Sequence, residues 1–224
     1  MTMKVLVACE ESQEVCKAFR ERGHEAYSAD LQECSGGHLE WHIMGDVLPI
    51  INGECDFITV GGVWQSIDRW DLVIAHPPCT HLAVSGARWF HEKQKDFRQQ
   101  KACVLFMQMM LAKADRVAVE NPIGIMSTCY RKPDQIIQPY QYGHATIKST
   151  CLWLRNLPKL IPTDIVKPET EKYICSNGKT ATFGKGIGEA IHNGRILAWN
   201  DPMTAKLRSK TFPGIAKAMA EQWG

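Results

Sequence analysis

A proline pair followed by a cysteine stands at the end of an apolar run, in the segment Asp71-Leu-Val-Ile-Ala-His-Pro-Pro-Cys-Thr80. The four apolar residues predict a buried parallel strand. Pro77 and Pro78 have a fixed φ and no N–H to donate, so they direct the chain out of the sheet in one extended direction. Cys79 therefore follows the carboxyl end of a strand, which is the edge at which open α/β sheets bind ligands.

This position favours a nucleophilic role for Cys79. The thiolate is the reactive form of cysteine, and a neighbouring base or a helix N-terminus lowers the thiol pKa. We expect His76, His81 or a helix beginning after Thr80 to act in this way. The alternative is that Cys79 packs in the core, as many cysteines do.

A second apolar run ends in an acid, an amide and a proline, in the segment Arg116-Val-Ala-Val-Glu-Asn-Pro122. Parallel strands end at the same edge of their sheet, so two neighbouring strands of this kind would bring Cys79 and Glu120 together. The sequence thus predicts a thiol and a carboxylate in one site.

The first thirty residues show the elements that would position such a site. Strands are predicted at 4–9 and 25–30, with an amphipathic helix from Ser12 to Arg22 between them. A possible hairpin at 57–60 and a long helix from about Glu92 to Ala114 follow. This order predicts an α/β fold of Rossmann type, with a mostly parallel sheet and helices on both faces.

The loop after the first strand, Cys9-Glu-Glu-Ser-Gln13, lacks the glycines that cradle a pyrophosphate and carries two acids. It suits a cationic ligand such as S-adenosylmethionine, although Glu10 and Glu11 could equally serve the first turn of a helix. Asp30 ends the second strand, where Rossmann folds keep an acid for ribose hydroxyls. Asp46 could accept a hydrogen bond from an adenine amino group.

Composition indicates one folded domain with reduced thiols. The chain has 224 residues, 45% apolar and 22% charged, and its nine cysteines form no C-x-x-C pair. We expect an intracellular protein, because the sequence has neither a signal peptide nor an apolar run of roughly 18 residues. Residues 1–147 hold 14 Lys+Arg and 18 Asp+Glu, whereas residues 148–224 hold 12 and 6, so a polyanion would meet the last third.

Taken together, these residues resemble the DNA cytosine-5 methyltransferases, in particular a compact branch common among bacteriophage proteins. The resemblance lies in Pro78-Cys79, in Glu120-Asn121, and in the later segments 138–144, 148–154 and 208–223. It implies an S-adenosylmethionine-dependent Rossmann-like methyltransferase fold that acts on C5 of cytosine in DNA through a covalent Cys79 adduct at C6. Glu120 would bind the pyrimidine edge, and Asn121 would hold the loop.

The resemblance also implies two groups of binding residues. No metal site is predicted, because Cys34, His38 and His42, which recur every four residues, are more typical of a surface loop than of a set of metal ligands. The cofactor pocket would contain Cys9, Glu10, Ser12, Asp30, Asp46, His76 and Pro77. Substrate contacts would come from Pro78, Ser85, Arg88, Lys148, Arg155, Lys185 and Arg208, with Lys148 and Arg155 as alternatives for the basic residue at the base.

Domain boundaries follow from the same resemblance. Residues 1–156 and 206–224 would form the catalytic domain, with the C-terminal helix beside the first strand, and residues 157–205 a small basic lobe for substrate recognition. The expected location is the cytoplasm of a bacterium or phage-infected cell, with DNA as partner and no membrane. Two alternatives stay open: a methyltransferase for free pyrimidine nucleotides or single strands, and a non-catalytic DNA- or partner-binding protein on the same fold.

Overall fold

A computed structural model of the protein describes residues 1–174, 180–184, 190–192, 195–197 and 209–224. The described residues form thirteen strands. They are β1 Lys4–Ala8, β2 Glu25–Asp30, β3 His42–Met44, β4 Cys55–Ile58, β5 Trp64–Ile67, β6 Leu72–Ala75, β7 Arg116–Pro122, β8 Gln135–Ile137, β9 Thr150–Arg155, β10 Thr170–Ile174, β11 Thr180–Gly184, β12 Ala190–His192 and β13 Arg195–Leu197.

Five α-helices accompany these strands in the described part of the chain. They are α1 Glu14–Glu21, α2 Phe90–Lys95, α3 Arg98–Met110, α4 Met126–Cys129 and α5 Pro213–Trp223. A short 3₁₀ helix at Cys79–His81 and a longer one at Val84–Trp89 carry the chain from β6 to α2. None of the described helices is long and apolar enough to cross a membrane.

The main sheet has seven strands in the order β3-β2-β1-β6-β7-β9-β8. The pairs from β3 to β7 are parallel, whereas β9 runs antiparallel to both of its neighbours. Because β2 and β3 lie on one side of β1 and β6 on the other, the strand order reverses between β1 and β6. Such a reversal opens a crevice at the carboxyl ends of the strands.

Both faces of the sheet are buried, since successive residues of a strand point to opposite faces. One apolar cluster joins β1 to α1 and α5 and contains Val5, Val7, Phe19, Ile215 and Met219. The other joins β1 to α3 and contains Leu6, Ala8, Phe106 and Met109. The prediction of an α/β fold with a mostly parallel sheet and helices on both faces is therefore confirmed.

The long helix predicted from Glu92 to Ala114 is wrong in one respect, because it is broken into α2 and α3. Phe97 separates them with a left-handed φ of 62°. The Asp96 carboxylate then accepts two hydrogen bonds from Arg98, the first residue of α3, one from its main-chain N–H at 3.2 Å and one from its Nε–H at 2.6 Å. The helix predicted to begin after Thr80 is also wrong, since only 3₁₀ turns precede α2.

Two smaller predictions agree with the described elements. The apolar run at 57–60 belongs to the antiparallel hairpin of β4 and β5. In the segment 157–205, the described residues form two antiparallel pairs, β10 with β11 and β12 with β13. The dipeptide Asn177-Gly178, which is typical of a hairpin turn, lies outside the described residues.

Candidate functional site

A cavity of about 390 Å³ opens at the carboxyl ends of β1, β2, β6 and β7. Its size falls within the range of roughly 300–1,000 Å³ typical of ligand pockets. The lining includes the predicted residues Cys9, Glu10, Ser12, Asp30, His76, Pro77, Pro78, Cys79, Glu120, Asn121 and Lys148. Residues from four separate strand ends thus meet where the strand order reverses.

The loop after β6 presents Cys79 at this cavity. β6 is fully buried, and the chain leaves it through Pro77 and Pro78, so that Cys79 is exposed. The Cys79 carbonyl then accepts the N–H groups of Leu82 and Ala83, each at 2.9 Å, which turns the chain sharply. Asn121 Nδ2 donates to the Pro77 carbonyl at 2.7 Å and ties this loop to β7.

Glu120 reaches the same cavity because β7 is longer than β6. β6 pairs with β7 only as far as Ala75 and Val119, while β7 continues to Pro122 by pairing with β9. Beyond the end of β6, Glu120 Oε2 lies 3.1 Å from Nδ1 of His76. Burial opposes ionisation of Glu120, but the hydrogen bond and charge of His76 outweigh it and hold the Glu120 pKa below its usual value.

His76 and His81, which were expected to lower the pKa of the Cys79 thiol, have other interactions in the structure. His76 directs Nδ1 at Glu120. Burial and the charges of Lys93 and Arg98 lower the pKa of His81, so that it is neutral near pH 7. Nδ1 of His76 is therefore engaged by Glu120, and His81 carries no charge near pH 7. Neither group is placed to activate the Cys79 thiol in the expected way.

The loop after β1 is built around Glu10. Cys9 and Gln13 both take a left-handed φ of 59°, which is uncommon for residues other than glycine. The Glu10 carboxylate accepts the N–H groups of Val15 at 2.6 Å and Cys16 at 3.2 Å, so it caps the start of α1. Burial raises the Glu10 pKa. Glu10 thus serves the first turn of a helix, which was the alternative to ligand binding. It also lines the cavity.

Cys9 lies in the cavity wall but has a different environment from Cys79. Burial, followed by the charges of Asp30 and Asp46, raises the Cys9 pKa to about 12. A thiol with this pKa stays protonated at neutral pH and is a poor nucleophile. Among the two cysteines of the cavity, Cys79 is therefore the better candidate for covalent chemistry.

The predicted acids Asp30 and Asp46 differ in position. Asp30 ends β2 and lines the cavity, where its Oδ1 accepts the Gln32 N–H at 2.9 Å. Asp46 is absent from the lining, and its Oδ1 accepts the Leu48 N–H at 3.0 Å. Its influence on the Cys9 pKa nevertheless places its charge near this end of the site.

The predicted substrate residues divide into three groups. Pro78 and Lys148 line the cavity. Ser85, Arg88 and Arg155 do not; Arg155 instead donates to carbonyls of Met110, Ala112 and Ala114 behind α3. Lys185 and Arg208 lie outside the described residues. Of the two basic alternatives, only Lys148 is therefore at the cavity.

Several lining residues were not predicted. Gln32, Thr80 and Pro122 extend loops already assigned to the site, whereas Ser209, Lys210 and Thr211 come from the distant segment before α5. Glu11 also lines the cavity, in the loop that was expected to suit a cationic ligand. The segment before α5 was noted only for its resemblance. Helix α5 packs against the sheet and thereby brings the segment before it to the cavity. The spacing of the apolar residues Ile215, Met219 and Trp223 in the sequence indicates this packing.

No protein-family model matches the chain, and a search of curated proteins found no match.

Proposed function

We propose that the protein transfers a methyl group from S-adenosylmethionine to C5 of cytosine in DNA through a covalent adduct of Cys79. One observation carries this proposal: the exposed thiol of Cys79 and the carboxylate of Glu120 line the same cavity at the strand-order reversal. A site divided between two cavities would have left the reaction without a place to occur.

The two side chains supply what cytosine methylation requires. C5 of cytosine is a weak nucleophile, so the Cys79 thiolate forms a bond to C6 and turns C5 into an enamine carbon. Glu120 accepts a hydrogen bond from the amino edge of the base and orients it. S-adenosylmethionine, when bound, would supply the methyl group to C5, with cleavage of its sulfonium S–CH3 bond and release of S-adenosylhomocysteine. Loss of the C5 proton to a base then breaks the C6–S bond and releases Cys79.

The strand-end residues support binding of a cationic cofactor. Asp30 at the end of β2 suits ribose hydroxyls, and Glu11 in the loop after β1 adds an acid to the same wall. Both oxygens of the Glu10 carboxylate accept main-chain N–H groups of α1. Glu10 therefore stabilises the conformation of this loop, and its carboxylate is only partly available to a ligand. The seven-strand sheet is compatible with the methyltransferase fold that the resemblance implies.

Charge favours nucleic acid as the substrate. Lys148 and Lys210 line the cavity beside Glu120, and the last third of the chain holds twice as many basic as acidic residues, 12 against 6. Such a surface suits phosphates. A base stacked in a duplex cannot enter a cavity of this kind, so duplex DNA requires flipping, at a cost of about a few kcal/mol.

A free pyrimidine nucleotide or a single strand is the second candidate substrate. The observation in its favour is the short length of the segment 157–205, in which the described residues include two short strand pairs. A substrate with an unpaired base needs no protein surface to separate a duplex. The same Cys79 and Glu120 chemistry applies to it.

Covalent trapping tests the proposal. An oligonucleotide containing 5-fluorocytosine, incubated with protein and S-adenosylmethionine, should form a denaturant-resistant complex, because fluorine at C5 blocks the final elimination. Cys79→Ser should abolish the complex, whereas the matched variant Cys129→Ser, at an exposed cysteine outside the cavity lining, should retain it. Trapping by Cys79→Ser would contradict the assigned nucleophile.

Labelled methyl transfer to duplex DNA, single strands and dCMP then identifies the substrate. Incorporation only into dCMP would overturn the assignment to DNA while leaving the chemistry intact. Failure of all three substrates, together with no binding of S-adenosylhomocysteine, would favour a binding protein.

A further inference from the structure

His76 is a titratable side chain in the cavity to which the reaction above assigns no role. It follows β6 directly, its side chain is 11% exposed, and its Nδ1 lies 3.1 Å from Oε2 of Glu120. Glu120 is itself only 20% exposed. The pair therefore sits in a largely desolvated position, where the interaction of two charges is stronger than in water.

Charged groups face His76 from three elements. Glu120 approaches from β7, Glu10 from the loop after β1, and Lys148 from the residues before β9. Burial opposes protonation of the ring and Lys148 adds to that effect, but Glu120 and Glu10 outweigh both and raise the His76 pKa. Within the described residues, Nε2 is buried without a hydrogen-bond partner. The hydrogen bond of the His76 ring in this part of the chain is therefore the one between Nδ1 and Glu120.

We propose that His76 is a positioning residue that carries a positive charge between Glu10 and Glu120 and, through its Nδ1–H, fixes the Glu120 carboxylate in the cavity. This inference rests on the proposed function, in which Glu120 binds the pyrimidine edge. His76 acts through Glu120 and is assigned no contact with the reacting atoms.

Electrostatics gives the reason for such a residue. Addition of a thiolate to C6 builds negative charge on the pyrimidine ring. A lone Glu120 carboxylate would repel that charge, whereas the imidazolium beside it offsets the charge of the Glu120 carboxylate. His76 therefore lets Glu120 remain an ionised hydrogen-bond acceptor for the amino group without opposing the charge of the adduct.

The charge state can be measured without any substrate. We would follow the histidine rings by ¹⁵N NMR as a function of pH and assign His76 from its absence in His76→Asn. In the wild-type protein the His76 ring should stay protonated at pH 7. In Glu120→Gln its titration midpoint should fall by about one pH unit or more, because the charged partner is gone. A ring that is neutral at pH 7, or unaffected by Glu120→Gln, would overturn the proposal.

Kinetics separates charge from geometry. His76→Asn keeps an N–H donor near the position of Nδ1 but removes the charge. We expect kcat to fall about 10-fold or more, with loss of the alkaline limb of the pH profile, and no further loss when His76→Asn is added to Glu120→Gln. The surface variant His91→Asn is the control. Full activity with an unchanged pH profile in His76→Asn would overturn the assigned role.

These two arms also distinguish the proposals from each other. A charged His76 that depends on Glu120, in a protein that transfers no methyl group to any substrate, would refute the proposed function alone. Active methyl transfer with a neutral His76 would refute the positioning role alone. Unfolding of His76→Asn and the more conservative His76→Gln would be visible in circular dichroism, and the titration in Glu120→Gln would still decide the charge state.

Discussion

The side-chain amide of Asn121 donates a 2.7 Å hydrogen bond to the main-chain carbonyl of Pro77. Asn121 is 2% exposed and belongs to β7, whereas Pro77 belongs to the loop that carries Cys79. The bond therefore fixes the spacing between the strand that bears Glu120 and the loop that bears the thiol.

Removing this bond should loosen the site. Asn121→Ala leaves the Pro77 carbonyl without its donor, and we expect a loss of about 1–3 kcal/mol in the free energy of unfolding. Covalent trapping should slow about 10-fold or more, because small errors in placing reactive groups are costly. Urea unfolding and trapping kinetics measure both effects. Asn52→Ala, which removes an exposed amide that accepts the Lys113 N–H, serves as the control. Equal behaviour of the two variants would contradict the assigned link.

Thiol chemistry should distinguish the cysteines of the native protein. Cys79 is exposed, whereas burial raises the pKa of both Cys9 and Cys16, that of Cys9 to about 12. Iodoacetamide at about neutral pH should therefore alkylate Cys79 and the exposed Cys129 while sparing the thiols of Cys9 and Cys16, whose raised pKa keeps them protonated. Peptide mass spectrometry after a short reaction measures the pattern. Rapid labelling of Cys9 would show that the loop after β1 opens in solution.

The meeting of Cys79 and Glu120 was predictable from the sequence because it follows from main-chain direction. Both residues end short apolar strands, and strands joined by helical crossovers run parallel, so their carboxyl ends share one edge. Proline residues after each run mark the end of the strand. The same logic placed Asp30 and the loop after β1 in the site.

The contact between His76 and Glu120 was not predictable in this way. It depends on the continuation of β7 past the last pair with β6, which the antiparallel partner β9 permits. No local pattern signals that length difference. The break between α2 and α3 was missed for a related reason, since Phe97 adopts a left-handed φ that its residue type disfavours.

The stability contributed by the ion pair should depend on pH. The lowered Glu120 pKa adds stability above its ordinary value of 4.5, which is lost as the pH falls through the folded-state pKa. The raised His76 pKa adds stability below its ordinary value of 6.5, which is lost as the pH rises through the folded-state pKa. The destabilisation caused by Glu120→Gln should therefore peak between these two values, at about 1–3 kcal/mol. Urea unfolding from acid to alkaline pH measures it, with the exposed Glu21→Gln as control. A constant difference across this range would contradict the pairing.

Gly124 allows the loop after β7 to approach the loop that carries Cys79. It forms a bridge with Ala83, and a Cβ at this position would overlap the Leu82 carbonyl. We expect Gly124→Ala to push the two loops apart, with a loss of about 1–3 kcal/mol in the free energy of unfolding and a larger proportional loss of trapping. Gly86→Ala is the matched control, because its Cβ would meet chiefly the flexible end of Lys93. Thermal unfolding and trapping compare the two; a harmless Gly124→Ala would show that the loops can separate without consequence.

Lys148 and Arg155 should give opposite results when each is replaced by methionine. Lys148 lines the cavity beside Glu120, so Lys148→Met should raise KM several-fold for an anionic substrate and change the melting temperature little. Arg155 donates to the Met110 and Ala114 carbonyls at 2.9 and 3.0 Å, so Arg155→Met should destabilise the protein by about 1–3 kcal/mol and leave KM unchanged. Steady-state kinetics and thermal unfolding separate these effects. An increase in KM for Arg155→Met alone would assign substrate binding to the arginine, and would require the end of α3 to rearrange on binding.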